Sequence, residues 1–201
     1  MFNPLIRFLT LALVLVLAAC SPPAQTPDSW TLVPEASSVS FVTVKNGDVV
    51  EAHHFTEMSG SVSADGMAQL TIAADSLETW IDIRNERVRD ILLQVTEYPT
   101  IDIAARLNRE DYADLMPGDS VRREVELQVM IAGTTRSLYG DVLVVRSATN
   151  VSVATLEPVI VDMRDFGLGD AVEALRVVAS LDAITPVIPV SVILAFAPAD
   201  D

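Results

Sequence analysis

From Val121 to Ile131 the chain alternates. Val121, Val125, Leu127, Val129 and Ile131 fall on one side, and Glu124, Glu126 and Gln128 on the other. A period of two is that of a β-strand with one face buried and the other in water. Gly133-Thr134 then turns the chain, and Arg136–Arg146 returns. A segment of this kind cannot bury its apolar face alone, so it commits the chain to a sheet closed over a core.

The same texture recurs. Ser38–Lys45 is rich in β-branched residues and ends at Asn46-Gly47, a strong hairpin signal. Val49–Ala64 continues as one strand or two, with a bend expected at Gly60, and Asp65-Gly66 makes a second hairpin turn. Met67–Ala74 places Leu70, Ile72 and Ala74 on one face. Val151–Asp162 reads as one strand, and Val187–Phe196 as the last, apolar on both faces apart from Ser191. Two stretches have helical spacing. In Asp82–Val95 the residues Val88, Ile91, Leu92 and Val95 recur on one side, and Pro99 sets the limit of the helix. Glu86 and Asp90 stand beside Arg87 and Arg89, so these charges are expected to offset one another locally. The second stretch is Asp170–Leu181, with Asp170 as the expected N-cap. About eight strands at hairpin spacing suit an up-and-down barrel or a sandwich. The barrel is preferred because closure leaves no exposed edge.

The N-terminus carries a different signal. Arg7 precedes the apolar run 8–19, which is too short to span a bilayer but has the length of a signal-peptide core. Leu17-Ala18-Ala19-Cys20 follows, small residues and then the chain's single cysteine, the pattern of a lipoprotein processing site. Residues 1–19 are therefore expected to be a signal peptide, and Cys20 the lipidated residue, since a thiolate is the nucleophile such acylation needs. Residues 20–29 would be an acylated, Pro- and Ser-rich tether, and residues 30–198 the barrel domain. Ser21, in place of the aspartate that favours inner-membrane retention, points to the outer membrane, facing the periplasm. Loss of residues 1–19 removes Arg7 and no acid, moving the net charge from −15 to −16. That charge argues against nucleic acid and anionic lipid headgroups as surface partners. With one cysteine, the fold cannot rest on a disulfide within the chain.

Several short pieces, in order, resemble the YceI-like family of exported lipid-binding β-barrels. Trp30 and Ser37-Ser38-Val39-Ser40-Phe41 resemble its opening strand. Phe55 with Ser59-Gly60 is similar to its next signature. Asp75-Ser76-Leu77-Glu78-Thr79 and Ile81-Asp82-Ile83-Arg84-Asn85-Glu86-Arg87 look like the segment leading into its helix. Glu97-Tyr98-Pro99-Thr100 is similar to the start of the strand after that helix, and Arg164-Asp165-Phe166-Gly167 to a later motif in compressed form. Together they cover roughly residues 30–197. The resemblance implies a mainly β, lipocalin-like eight-stranded antiparallel barrel with one or two short helices. It also implies an elongated apolar cavity for a polyisoprenoid or quinone-like lipid. The helix at Asp170–Leu181 and the very apolar last strand have no counterpart in the matched pattern.

The inward phase of the strands makes Phe41, Phe55, Leu70, Ile72, Ile101, Ile103, Leu127 and Val129 the candidate ligand-binding residues. Arg84 and Arg87 are candidates for head-group contact, since a guanidinium suits a phosphate or a quinone oxygen; surface pairing with Glu86 and Asp90 is the plainer expectation. His53 and His54, with Glu51 and Glu57, have the chemistry of a metal site. Adjacent strand residues point to opposite faces, however, so the two rings cannot readily share an ion, and no metal or other cofactor is expected. Nor is an enzyme expected. There is no Gly-x-Ser-x-Gly elbow. Asp82, Glu86 and Asp90 alternate with arginines as a solvated helix face does. Gly167-Leu168-Gly169 lacks a phosphate loop's third glycine. Two readings remain: a carrier of an apolar molecule, or a structural or interaction lipoprotein whose barrel is filled by its own side chains. A cavity of roughly 300 Å³ or more separates them.

Overall fold

A computed structural model of the chain describes residues 29–199. Cys20 and the segments 1–19 and 20–28 lie outside the described residues.

The described chain is one antiparallel sheet closed on itself as an eight-stranded barrel. Four of its strands are broken into two segments. We number them β1 (Trp30–Leu32 and Ser38–Lys45), β2 (Val49–Phe55 and Met58–Val62), β3 (Met67–Ala73 and Leu77–Glu78) and β4 (Thr100–Arg106). They continue as β5 (Ser120–Ile131), β6 (Thr134–Arg146), β7 (Val151–Thr155 and Val159–Asp162) and β8 (Val187–Pro198). Each pairs with the next in sequence. The last closes on the first, with Phe41 opposite Val190 and Leu32 opposite Phe196. Closure pairs the first strand with the last, edges that an open sheet would leave exposed; only short segments such as Leu77–Glu78 and Val159–Asp162 pair on one side.

The breaks share a place. β1 is interrupted by the turn Pro34–Ala36, β2 at Thr56 and Glu57, and β3 by the turn Ala74–Ser76. Side chains supply the missing bonds: Ser37 Oγ donates to Val33 O and accepts from Ala195 N–H, and Ser76 Oγ donates to Ala73 O. Three neighbouring strands thus bend together, forming a corner of the barrel. The bend in β2 falls at Thr56–Glu57 and not at Gly60, which lies within the second segment. β7 is likewise two segments, parted at Leu156–Pro158, where Pro158 has no N–H for the ladder.

One helical excursion follows β3. α1 (Asp82–Arg87) runs into a π-helical stretch, Val88–Leu93, and stops at Gln94, whose φ of 51° is left-handed. The helix therefore ends before Val95. The second, α2 (Gly169–Val178), packs against the π-helical stretch. Its N-cap is Leu168, with no side-chain cap bond; Asp170 sits inside the first turn, where a carboxylate still favours the helix dipole. After helix 82–93 the chain passes Tyr98, and the hairpin joining β5 to β6 comes down on that ring. A Cβ at Gly133, whose φ is +74°, would lie 2.6 Å from Tyr98 Cε1, so both the turn and the contact require glycine there.

Candidate functional site

Inside the barrel is a continuous cavity of about 870 Å³. Its wall follows from the strand period. Every second residue of each strand points inward, and nearly all of these are aliphatic or aromatic. The volume lies in the upper part of the range for small-molecule sites, roughly 300–1,000 Å³. A filled barrel has no such space. Phe41 of β1, Phe55 of β2, Leu70 and Ile72 of β3, Ile101 and Ile103 of β4, and Leu127 and Val129 of β5 all line it. β6 contributes Gly140 between Leu138 and Val142.

Helices cover one end. Val88, Leu92 and Leu93 from the first helical excursion, and Val172 and Leu175 from α2, face the cavity there. The helix without a counterpart in the sequence pattern therefore builds part of this wall. Ile81 and Ile83 both line the cavity and are exposed outside, so apolar surface runs unbroken to the rim. At the opposite end Trp30, Leu107 and Tyr112 line the cavity, and the Arg146 guanidinium carbon sits 5.5 Å from the Trp30 ring centroid.

One polar part of the wall lies on the β1–β2 hairpin. Along β1 the inward residues run Val39, Phe41, Thr43, Lys45; along β2 they run Phe55, His53, Glu51. Both series pass from apolar to charged in the same direction. Glu51 is held by two cations, Lys45 Nζ at 2.6 Å and Arg84 Nη1 at 2.8 Å. The Lys45 hydrogen bond is the larger cause holding the Glu51 carboxyl below its ordinary range, with the Arg84 bond and both charges adding.

Arg84 is not paired with Glu86 or Asp90. Its Nε donates to Thr79 Oγ1 at 2.9 Å, and its Nη2 donates to Thr79 O. Thr79 in turn donates from its backbone N–H (2.8 Å) and its hydroxyl to Asn85 Oδ1, and Asn85 Nδ2 donates to Glu78 Oε1 at 3.1 Å. Thr79 and Asn85 are almost fully buried, so this network fixes the turn into α1 where solvent could not. Arg89 donates to Leu77 O. The local charge offset expected on this helix is thus absent among the described ion pairs: Arg84 and Arg89 reach back to the barrel, to Glu51, Thr79 and Leu77. Among the described residues Arg87 has no ion pair or side-chain hydrogen bond, and it lines the cavity.

The two histidines point apart. His54 stacks outside on Trp80, with centroids 5.3 Å apart. His53 is 4% exposed, its ring centroid 5.4 Å from that of Phe41 and its Nε2 3.0 Å from Thr43 Oγ1. Burial first, and then the Arg84 charge, push its protonation below the ordinary histidine range. The sign of the consequence is fixed. The native state holds this ring neutral, whereas the unfolded chain takes up a proton below about pH 6.5. Stability from this source is full above that pH and is lost as pH falls through the interval below it. The Glu51 contribution is separate: it is full above the carboxylate range and lost only as pH falls through the lowered native value. Urea midpoints for the wild type should therefore fall already between pH 7 and pH 5.5. In His53→Gln that early fall should be reduced, with the deeper acid loss retained.

Sequence reasoning set His53 aside with the metal question and passed over Thr43, Lys45, Gly140 and Arg146. The signal for the first two was present. Both lie in the inward phase of their strand, together with Phe41.

The YceI-like domain family profile matches residues 30–196. A solved polyisoprenoid binding domain from Saccharophagus degradans, implicated in plant cell wall breakdown, is 31% identical with a TM-score of 0.82. That match covers 85% of this chain and 98% of the other. Burkholderia cenocepacia BcnA shares the fold at 16% identity and a TM-score of 0.63, over 82% of this chain and 98% of its own. The Campylobacter jejuni YCEI protein does so at 14% and 0.51, over 74% and 85%. No curated protein sequence matches the chain.

Proposed function

The chain belongs to the YceI-like domain family, and on that footing we propose that it binds, stores or carries a long apolar molecule, a polyisoprenoid or an isoprenoid quinone, within its barrel. The observation that carries the reading is the continuous apolar cavity of about 870 Å³. The Saccharophagus degradans relative, described as polyisoprenoid binding, supports the ligand class. Binding would be by burial, at about 0.8 kcal/mol for each CH₂ taken from water, and needs no covalent step. Ile81 and Ile83 extend the apolar surface to the outside and offer the ligand its entry. Of the two arginines read as head-group contacts, Arg84 is committed to Glu51 and Thr79, so Arg87 is the one available to a polar head.

In this reading the protein is exported and cleaved before Cys20. It is acylated there and tethered to the outer membrane facing the periplasm, beside the bilayer from which it loads. Two or more acyl chains on Cys20 would make a stable anchor.

Both parts are testable on the full chain expressed in a Gram-negative bacterium. Labelled palmitate should enter the protein and disappear in Cys20→Ser; equal labelling of both would refute the anchor. Delipidated protein should bind a forty-carbon polyprenol one to one by titration calorimetry, and absence of binding would refute the carrier.

A further inference from the structure

We propose that the outer face of the wall formed by β7, β8, β1 and β2 docks on a lipid bilayer of zwitterionic headgroups, with Trp80, Ile81 and Ile83 seated at its interface beside the cavity mouth. Such docking has a purpose only in a carrier, and to that extent it rests on the carrier reading.

Each strand of the barrel turns alternate residues outward, and on β4 and β5 these are largely charged. β4 turns out Asp102 and Arg106; β5 turns out Arg122, Glu124 and Glu126. The wall from β7 to β2 differs. β8 sends Ile188, Val190 and Val192 into the cavity and turns out Pro189, Ser191 and Ile193. Its neighbours continue the face. Ile160 of β7 stands opposite Pro189, Ser40 of β1 opposite Ser191, and Val42 of β1 opposite Ala52 of β2. None of these positions carries a charge, in a chain whose net charge is −15. Charges stand at the margins: Asp48 and Asp182 beside the β1–β2 turn, and Asp162, which pairs with Arg164. Ile160 and Ile193 are exposed. An uncharged, apolar face of this extent marks an interaction surface.

The face runs into the cavity mouth. His54, outward on β2, carries the Trp80 ring. Trp80 is 74% exposed, and its φ of 67° is left-handed, a rare state for a bulky residue. Glu78 holds the turn, accepting from Trp80 N–H and from Asn85 Nδ2. Ile81 and Ile83 follow, exposed and lining the cavity. An isoprenoid would pass here from bilayer to barrel without crossing water.

A bilayer suits this face better than a protein. Tryptophan among aliphatic neighbours favours the boundary between headgroups and acyl chains, where the indole N–H stays wet. The chain outside the barrel enters at Trp30, on β1, within the same wall. Nine residues separate Trp30 from Cys20, a reach of about 30 Å, so a chain anchored at Cys20 lies on this wall without straining its tether. Acids on the other walls are repelled by anionic lipid, which selects neutral headgroups.

All eight strands lie within residues 30–198, so the test uses the chain from Ser21 onward, free of any acyl anchor. It should co-float with vesicles of phosphatidylethanolamine and phosphatidylcholine, and less with vesicles containing phosphatidylglycerol. Lipids brominated in the acyl chain should quench its tryptophan fluorescence, and not that of Trp80→Ser. Ile160→Glu with Ile193→Glu should weaken flotation by about 10-fold. Tyr139→Glu, at an exposed position on β6, should leave it unchanged. No flotation of the wild type, equal loss in Tyr139→Glu, or tighter binding to the anionic vesicles would overturn the docking. So would a dimer in sedimentation that the two glutamates dissolve, since a second copy would then cover the wall. Should the glutamate pair not fold, the quenching decides, and its absence in the wild type overturns the docking. Polyprenol binding without flotation refutes the docking alone; flotation without polyprenol binding refutes the carrier and leaves the docking face standing.

Discussion

Phe166→Ala should destabilise the protein by about 3–5 kcal/mol while leaving the ligand site intact. Phe166 is 2% exposed and among the largest side chains wholly removed from solvent. It stands in the turn that leaves β7, where Phe166 N–H donates to Met163 O and Leu168 N–H returns to the same carbonyl. Gly167, at φ +75°, carries the chain round, and the Arg164–Asp162 ion pair braces the outside. The ring belongs to the same buried cluster as Val161, Met163, Leu168, Val172 and Leu175 but does not line the cavity. Alanine would leave a void beneath α2, and the packed neighbours could close it only in part. Urea unfolding should show the midpoint fall. The same variant, still folded in buffer, should bind polyprenol with affinity within a few-fold of wild type. A loss of affinity in proportion to stability would mean that α2 and the cavity wall are one cooperative piece.

Gly140→Leu should cost about 100-fold in affinity for a long isoprenoid and little in stability. Gly140 faces inward on β6, opposite Val125, and lines the cavity. A Cβ there would stand 3.4 Å from both Leu127 Cδ1 and Val159 Cγ2, close but against flexible methyl groups. The rest of a leucine would extend into the space the ligand occupies. Displacing about four CH₂ groups at about 0.8 kcal/mol each gives about 3 kcal/mol, or two powers of ten in Kd. Glycine is costly in a strand interior, so its place here is explained by the room it leaves. Titration of variant and wild type with the same polyprenol checks this. Unchanged affinity would place the ligand elsewhere in the barrel.

Much of this architecture was legible. The alternation in Val121–Ile131 and the turns at Asn46-Gly47 and Asp65-Gly66 are local, and local signals survive folding; the third turn falls at Ala132-Gly133, one residue before the Gly133-Thr134 expected. The inward phase that put Phe41, Leu70 and Ile103 on one surface is local too. The bends were harder to read. Thr56–Glu57 interrupts its strand because three adjacent strands turn a corner together, a property of the closed sheet. The partner of Arg84 was equally hidden. Sequence neighbours suggested Glu86, yet the carboxylate that answers it is Glu51, brought over by the β1–β2 hairpin. Asp170 resembled an N-cap by composition, but the turn from Phe166 starts the helix at Gly169 and leaves the capping position to Leu168. His53 was visible as a residue and not as a site. Its bond to Thr43 depends on the distance between two strands, and strand period alone does not give that distance.

The central claim is that the barrel holds a long apolar molecule, and native mass spectrometry of the chain from Ser21 onward, purified from a bacterial periplasm without detergent, tests it most directly. The account predicts a reproducible added mass in one-to-one ratio, extractable into organic solvent as an isoprenoid chain. A clean mass of the bare chain, unchanged on incubation with polyprenol, would contradict it.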